Sequence, residues 1–320
     1  MTVDPVLRSF AGVLAPIFGV ALVGIGVATR ALRRREPALA RELRLRYAAW
    51  LAIAAAVLGA LALGRTAWIA LVALVSLGAF REYARAVGLS KDRGLQNVGA
   101  GTIVLMYAAV WAAAWWPHHD ASREPGAYGL FMAMPAYATL ALLAVPVVRD
   151  RFTDVSRTLG LALLGVVHVG WLLAHLAYLV NLRDGVGLVL FLVFLVSLHD
   201  VAAFVTGKLA GRHKLRPALS PGKTWEGAGG AVVVVLAAAW GLRWLVPAYT
   251  GLHLFVVAGL VGLGATLGDL ALAAIKRDVG LKDWGTILPG HGGLLDRVNG
   301  LIFTVPLVFH YTRFTGGWPP

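Results

Sequence analysis

Ten apolar runs alternate with short polar segments along this 320-residue chain. They fall near 9–29, 47–63, 66–80, 97–116, 128–148, 158–180, 186–207, 228–246, 253–275 and 299–315. A helix needs about 20 apolar residues to cross the hydrocarbon core of a bilayer. The stretch from Ala11 to Thr29, and that from Val186 to Phe204, meet this requirement with few interruptions. The pattern predicts an all-α polytopic membrane protein with about ten transmembrane helices. The pair 47–63 and 66–80 is the ambiguous one. Read as a single bent or re-entrant span, it reduces the number to nine and moves the N-terminus across the membrane. The first run follows a weakly basic segment holding only Arg8, with no evident cleavage site after it, and reads as a retained span.

Composition strengthens the membrane reading. The chain is 59% hydrophobic and 14% charged, with a mean hydropathy of +0.75, whereas soluble domains carry about 25% charged residues. There is no cysteine, which removes disulfides and thiolate metal sites. The net charge of +13 is not spread as a nucleic-acid-binding surface would require. Segments 30–46, 81–96, 149–157, 208–227 and 276–298 hold 23 of the 29 Lys and Arg residues, and the ten-span reading puts all five on one side. That asymmetry follows the positive-inside rule. It predicts cytoplasmic basic loops and both termini outside; the membrane expected is a bacterial inner (cytoplasmic) one. Loop 30–46, with seven arginines and two glutamates, reads as a topology anchor, with an electrostatic foothold for anionic membrane lipids as the alternative.

No internal repeat or low-complexity linker divides the chain. Its chemistry does: residues 1–180 form an N-terminal transmembrane region of plain spans, and residues 181–320 form a C-terminal region holding the unusual side chains. In the first region, His168 and His175 share one face seven residues apart, a spacing more often packed between helices than used on a substrate.

In the second region, Asp200 sits about seven residues inside its span, roughly 10 Å of helix. A carboxylate at that depth needs a cavity or a cation. Segment 207–227 is a basic Gly/Pro-shaped loop. Its Gly222-Lys223-Thr224 is not a P-loop, because the position five residues before Gly222 is Pro217 and no strand is expected ahead of it. With hydroxyls at Ser220 and Thr224, the charge of Lys223 and backbone N–H groups, such a loop can meet phosphate oxygens; a topogenic basic loop is the equal alternative. Asp269, Leu272, Ala273 and Lys276 share a helix face, with Asp269 and Lys276 about 10 Å apart. Asp296 and Arg297 open the last span, near a positive helix N-terminus. Before them, Gly290, Gly292 and Gly293 flank His291 and can shape an anion nest. Oxygen ligands without cysteine favour Mg²⁺.

Two segments together resemble the phosphatidate cytidylyltransferase (CDP-diacylglycerol synthase) family. One is His199–Gly227, with the core Ser220-Pro221-Gly222-Lys223-Thr224-Trp225-Glu226-Gly227. The other is Gly268-Asp269-Leu270, then Lys276-Arg277, Lys282-Asp283 and Pro289 to Arg297. The likeness covers about residues 195–310. It implies that CTP and phosphatidic acid give CDP-diacylglycerol and pyrophosphate, at the cytoplasmic face of the C-terminal helices. It implies metal carboxylates at Asp269 and Asp296, and phosphate contacts from Ser220, Lys223, Lys276, Arg277 and Lys282. Asp200 and Asp283 would be supporting polar groups, with His291 acting beside them. A homodimer is also implied.

The chain departs from the family pattern at Leu272 and Ala273, where Glu-Ser is usual, and at Asn299, where Asp is usual. Asn299 can still ligate a cation but adds no charge, which weakens the case for a second cation. Two other readings remain open. One is a CTP-dependent lipid kinase, which would release CDP. The other is an inactive lipid-binding relative. Transport fits less well, because the polar residues gather at one face.

Overall fold

A computed structural model describes residues 4–33, 36–113, 115, 126–285 and 292–315. Among them, ten helical rods stand where the ten apolar runs were read. They are α1 (Pro5–Leu32), α2 (Pro37–Leu63), α3 (Arg65–Ala86), α4 (Arg93–Ala112), α5 (Gly126–Val148), α6 (Val155–Asn181), α7 (Gly185–Ala210), α8 (Trp225–Gly241), α9 (Gly251–Asp278) and α10 (Leu295–Phe314). Eight are long and apolar enough to cross a membrane. α8 is shorter, and α10 carries Asp296, Arg297 and Arg313 among its 20 residues. The protein is an all-α polytopic membrane protein.

The ambiguous pair resolves as two helices. Gly64 separates α2 from α3 with φ +102° and ψ −178°, a backbone region essentially confined to glycine. Helix starts follow local chemistry elsewhere. Asp4 accepts the Val6 N–H at 2.8 Å ahead of Pro5, and Asp92 accepts those of Gly94 and Leu95 at 3.1 Å each. A carboxylate or hydroxyl oxygen there satisfies N–H groups that have no partner within the helix.

The interior is formed by α3, α4, α6, α7, α9 and α10, through residues such as Phe80, Ile103, Val169, Leu192, Val257 and Phe309. α1 and α2 are peripheral: Val20, Val23 and Val27 are exposed, and Phe10 meets Phe194 of α7 edge-on at 5.8 Å. Between apolar helices in lipid, close van der Waals packing replaces the hydrophobic drive that operates in water. Small residues make it possible here. A Cβ on Gly227 of α8 would lie 2.8 Å from the Ala203 carbonyl of α7, and one on Gly230 would lie 2.8 Å from Thr206. Between α9 and α10, Gly264 sits against Thr304 and Gly268 against the Asn299 backbone.

Segment 207–227 is not the irregular loop its Gly/Pro content suggests. α7 continues to Ala210, and an antiparallel hairpin follows, β1 (Lys214–Arg216) and β2 (Ser220–Thr224). A strand therefore does precede α8. Glu226 fastens the hairpin base, accepting the backbone N–H groups of Arg212 (3.1 Å) and His213 (3.2 Å) while meeting the His213 ring at 2.6 Å. The Thr224 hydroxyl then caps α8 by accepting the Gly227 N–H at 3.1 Å.

Candidate active site

The hairpin closes over a cavity of about 590 Å³ bounded by α7, α8 and α9. Five residues singled out from sequence line it: Asp200, Ser220, Lys223, Thr224 and Asp269. Their local settings differ. Asp200 is half exposed on α7, beside the buried His199, whose Nδ1 lies 3.4 Å from its carboxylate. Thr224 has its hydroxyl engaged as the α8 cap, so it forms wall more than contact. Lys223, on β2, reaches into the cavity and donates to Oδ2 of Asp269.

Asp269 has a second partner. The Nδ2 group of Asn299 donates to its Oδ1 at 2.5 Å, and the Asn299 oxygen accepts the Gly300 N–H at 2.8 Å. This contact exists because residue 268 is glycine. A Cβ there would lie 2.5 Å from the Asn299 carbonyl, so only glycine lets α10 approach α9 this closely. One carboxylate thus joins the hairpin, α9 and α10.

A second ionic cluster lies at the start of α10. Lys276 donates to Oδ1 of Asp296 at 2.7 Å, and Oδ2 of Asp296 accepts the N–H groups of Trp284 (3.0 Å) and Gly293 (3.1 Å). The glycine-rich backbone expected to hold an external anion here holds the carboxylate of Asp296. Gly292 contributes with φ +81°, its Cβ position 3.1 Å from the same carboxylate. Asp269 and Lys276, expected to share a helix face, do lie on one helix, and each pairs with a different segment. Arg277, Lys282, Asp283 and Arg297 are exposed and do not line the cavity. His291 lies outside the described residues, as does Gly290.

The donor set bears on a metal. Among the described residues, no three His, Asp or Glu side chains are gathered so as to hold an ion. Mg²⁺ is usually held by one or two carboxylates, with substrate phosphates and water completing the octahedron. Asp269 suits that manner of binding. Asp296 is almost fully enclosed by its present partners, and Asn299 turns its nitrogen toward Asp269.

Sequence reasoning missed several groups. Lys208, Lys214 and Thr266 line the cavity, so three lysines face it. The signal for Lys208 and Lys214 was their place within the basic segment 207–227; Thr266, inside α9, carried none. Glu82 of α3 was also missed. It is 4% exposed and accepts the N–H groups of Leu294 (3.1 Å) and Leu295 (3.0 Å). Position 82 falls in segment 81–96, which hydropathy reads as a basic loop, but α3 runs on to Ala86. His168 and His175 prove to be packed: His168 meets Phe303 at 5.2 Å, and His175 lies among Phe131, Trp171 and Phe309. Neither lines the cavity.

Comparison with known proteins fits this arrangement. The sequence matches the cytidylyltransferase family over residues 44–315. It is 30% identical over 296 residues to a phosphatidate cytidylyltransferase of Mycobacterium leprae (strain TN), covering 87% of this chain and 90% of that one. It is 32% identical over 275 residues to a phosphatidate cytidylyltransferase of Synechocystis sp. (strain ATCC 27184 / PCC 6803 / Kazusa), covering 78% and 90%. The uncharacterized protein YnbB of Escherichia coli (strain K12) is 41% identical over 155 residues, 45% of this chain. That match spans 52% of YnbB, about half its length.

Proposed function

Because the chain belongs to the cytidylyltransferase family, and is thus a nucleotidyltransferase, we propose that it is a phosphatidate cytidylyltransferase. It would convert CTP and phosphatidic acid into CDP-diacylglycerol and pyrophosphate. The observation that carries this reading is the cavity itself. Three lysines and a buried-edge carboxylate face a space of about 590 Å³, and Phe204, 67% exposed, stands on its lining. A polar nucleotide and an apolar lipid can meet at such a boundary.

In the proposed reaction, a phosphate oxygen of the lipid attacks the α-phosphorus of CTP. The new P–O bond forms as the bond between the α-phosphorus and its bridging oxygen breaks, and pyrophosphate leaves with the electron pair. This chemistry asks the protein for alignment and charge neutralisation more than for a covalent nucleophile. Lys208, Lys214 and Lys223 neutralise phosphate charge, and Ser220 offers a hydroxyl. Asp269 holds the Lys223 ammonium until substrate arrives. Asp269 would hold Mg²⁺ together with substrate phosphates and water, and the ion would supply further neutralisation of the triphosphate. Lys223, once released from Asp269, would be free to meet phosphate.

The distribution of Lys and Arg supports a cytoplasmic orientation of this face in a bacterial inner membrane. The test is an assay of purified protein in detergent with CTP, phosphatidic acid and Mg²⁺. Pyrophosphate release with CDP-diacylglycerol identified by mass spectrometry is the expected result. Release of CDP instead would identify a kinase, and absence of CTP turnover would sink the reading.

A further inference from the structure

α3 belongs to the half of the chain without assigned chemistry, yet it docks at three points on the start of α10 and on the segment that precedes it. Gly78 leaves room for Leu294, whose Cδ1 would lie 2.6 Å from a Cβ there. Glu82, one turn on, accepts the Leu294 and Leu295 N–H groups through separate oxygens at 3.1 and 3.0 Å. Tyr83 packs on Trp284 with ring centroids 5.8 Å apart. Glu82 is built in tightly: a Cβ on Gly285 would lie 2.5 Å from its Oε1, and one on Gly293 would lie 2.5 Å from its Oε2. Among the described residues, no Lys, Arg or His forms an ion pair with it.

A buried carboxylate without a cation is costly unless its hydrogen bonds and local field are favourable. Here it sits on the positive end of a helix and satisfies two N–H groups that have no partner within α10. The next residue in α10 is Asp296, and one turn further is Asn299, the partner of Asp269. We propose that Glu82 is a positioning residue: from the N-terminal half, it clamps the first turn of α10 and so sets Asp296 and Asn299 against Lys276 and Asp269. This rests on the reaction proposed above for its catalytic consequence, though not for the clamp.

Asp92 supplies a matched control. It too is an enclosed carboxylate capping a helix, and it also holds Arg149 and Arg151, but it does not line the cavity. Glu82→Gln, Gly285→Ala and Asp92→Asn would be compared with wild type. Gly285→Ala presses on the same carboxylate from the loop side, in case Glu82→Gln does not fold. Pyrophosphate release and amide hydrogen–deuterium exchange at Leu294 and Leu295 would both be followed. The expected result for either clamp variant is kcat lowered about 10- to 100-fold with KM for CTP within about twofold, and faster exchange at those two amides. Asp92→Asn should lower Tm yet keep kcat. Full kcat in Glu82→Gln, unchanged exchange at Leu294 and Leu295, or an equal kcat loss in Asp92→Asn at equal Tm loss would overturn the proposal. If wild type released no pyrophosphate, the reaction assignment would fall and the exchange result alone would decide the clamp.

Discussion

At the scale of single residues, Lys223 and Asp269 form the contact on which the cavity turns. Each is about a quarter exposed or less, at 27% and 21% for the side chains, so water screens the pair only in part. Removing one partner leaves the other charge enclosed without compensation, at a cost of about 1–3 kcal/mol or more. Lys223→Ala should therefore lower both Tm and pyrophosphate release. The double variant Lys223→Ala/Asp269→Ala should regain much of the Tm and none of the activity. Thermal unfolding in detergent beside the release assay checks this, and a Tm no higher in the double variant than in Lys223→Ala would count against mutual compensation of the two charges.

Asn299 gives a second residue-scale test. Asn299→Asp replaces a hydrogen-bond donor to Asp269 with a second carboxylate, and like charges this close repel. Tm in EDTA should fall below wild type and recover on adding Mg²⁺ further than wild type does. Equal Mg²⁺ responses would show that position 299 does not touch a cation. Asp269 was legible from sequence because charge inside an apolar run is rare and informative, and Lys223 and Ser220 because they stand in a basic, Gly/Pro-shaped segment. Glu82 was not, because it lies where an apolar run ends and a helix does not. Hydropathy sees the membrane boundary; the backbone of α3 continues past it to Ala86.

At the scale of elements, the ten helices were readable because apolar length is a direct consequence of bilayer thickness. The hairpin over the cavity was not. Lys214–Arg216 and Ser220–Thr224 are three and five residues long, too short for a period of two to stand out. Their pairing follows from the turn between them and from Glu226 at the base. The approach at Gly268 was likewise invisible to hydropathy, since glycine reads as neutral whether it is required or merely tolerated. Position 268 can be tested against a neighbour. Gly268→Ala places a Cβ 2.5 Å from the Asn299 carbonyl, whereas Gly259, on the same helix, has no atom within 4 Å of its Cβ position. Gly268→Ala should part α9 from α10, lowering Tm and separating Asn299 from Asp269, with pyrophosphate release falling about tenfold or more. Gly259→Ala should leave both near wild type. Equal behaviour of the two variants would mean that α10 does not need this close approach.

At the scale of the whole molecule, both ionic clusters belong to the ends of α7, α9 and α10 and to the hairpin between α7 and α8. A reaction joining a water-soluble nucleotide to a lipid phosphate requires that these ends share one membrane face. Separation of α2 and α3 at Gly64 gives an even number of rods, which puts the two termini on the same side if every rod crosses. The five basic segments then fall on the opposite side from Arg183 and Arg243. The natural absence of cysteine makes this directly measurable. Single substitutions Arg44→Cys, Lys214→Cys and Lys282→Cys should react with a membrane-impermeant thiol reagent only from the cytoplasmic side, in inverted vesicles. Arg183→Cys and Arg243→Cys should react only in intact cells or right-side-out vesicles. If Arg44→Cys labelled from the opposite side to Lys282→Cys, α2 and α3 would count as one crossing. The active face would then remain where it is, and only the N-terminal helix would change sides. If Lys214→Cys and Lys282→Cys labelled from different sides, the cavity and the Asp296 cluster could not serve one reaction.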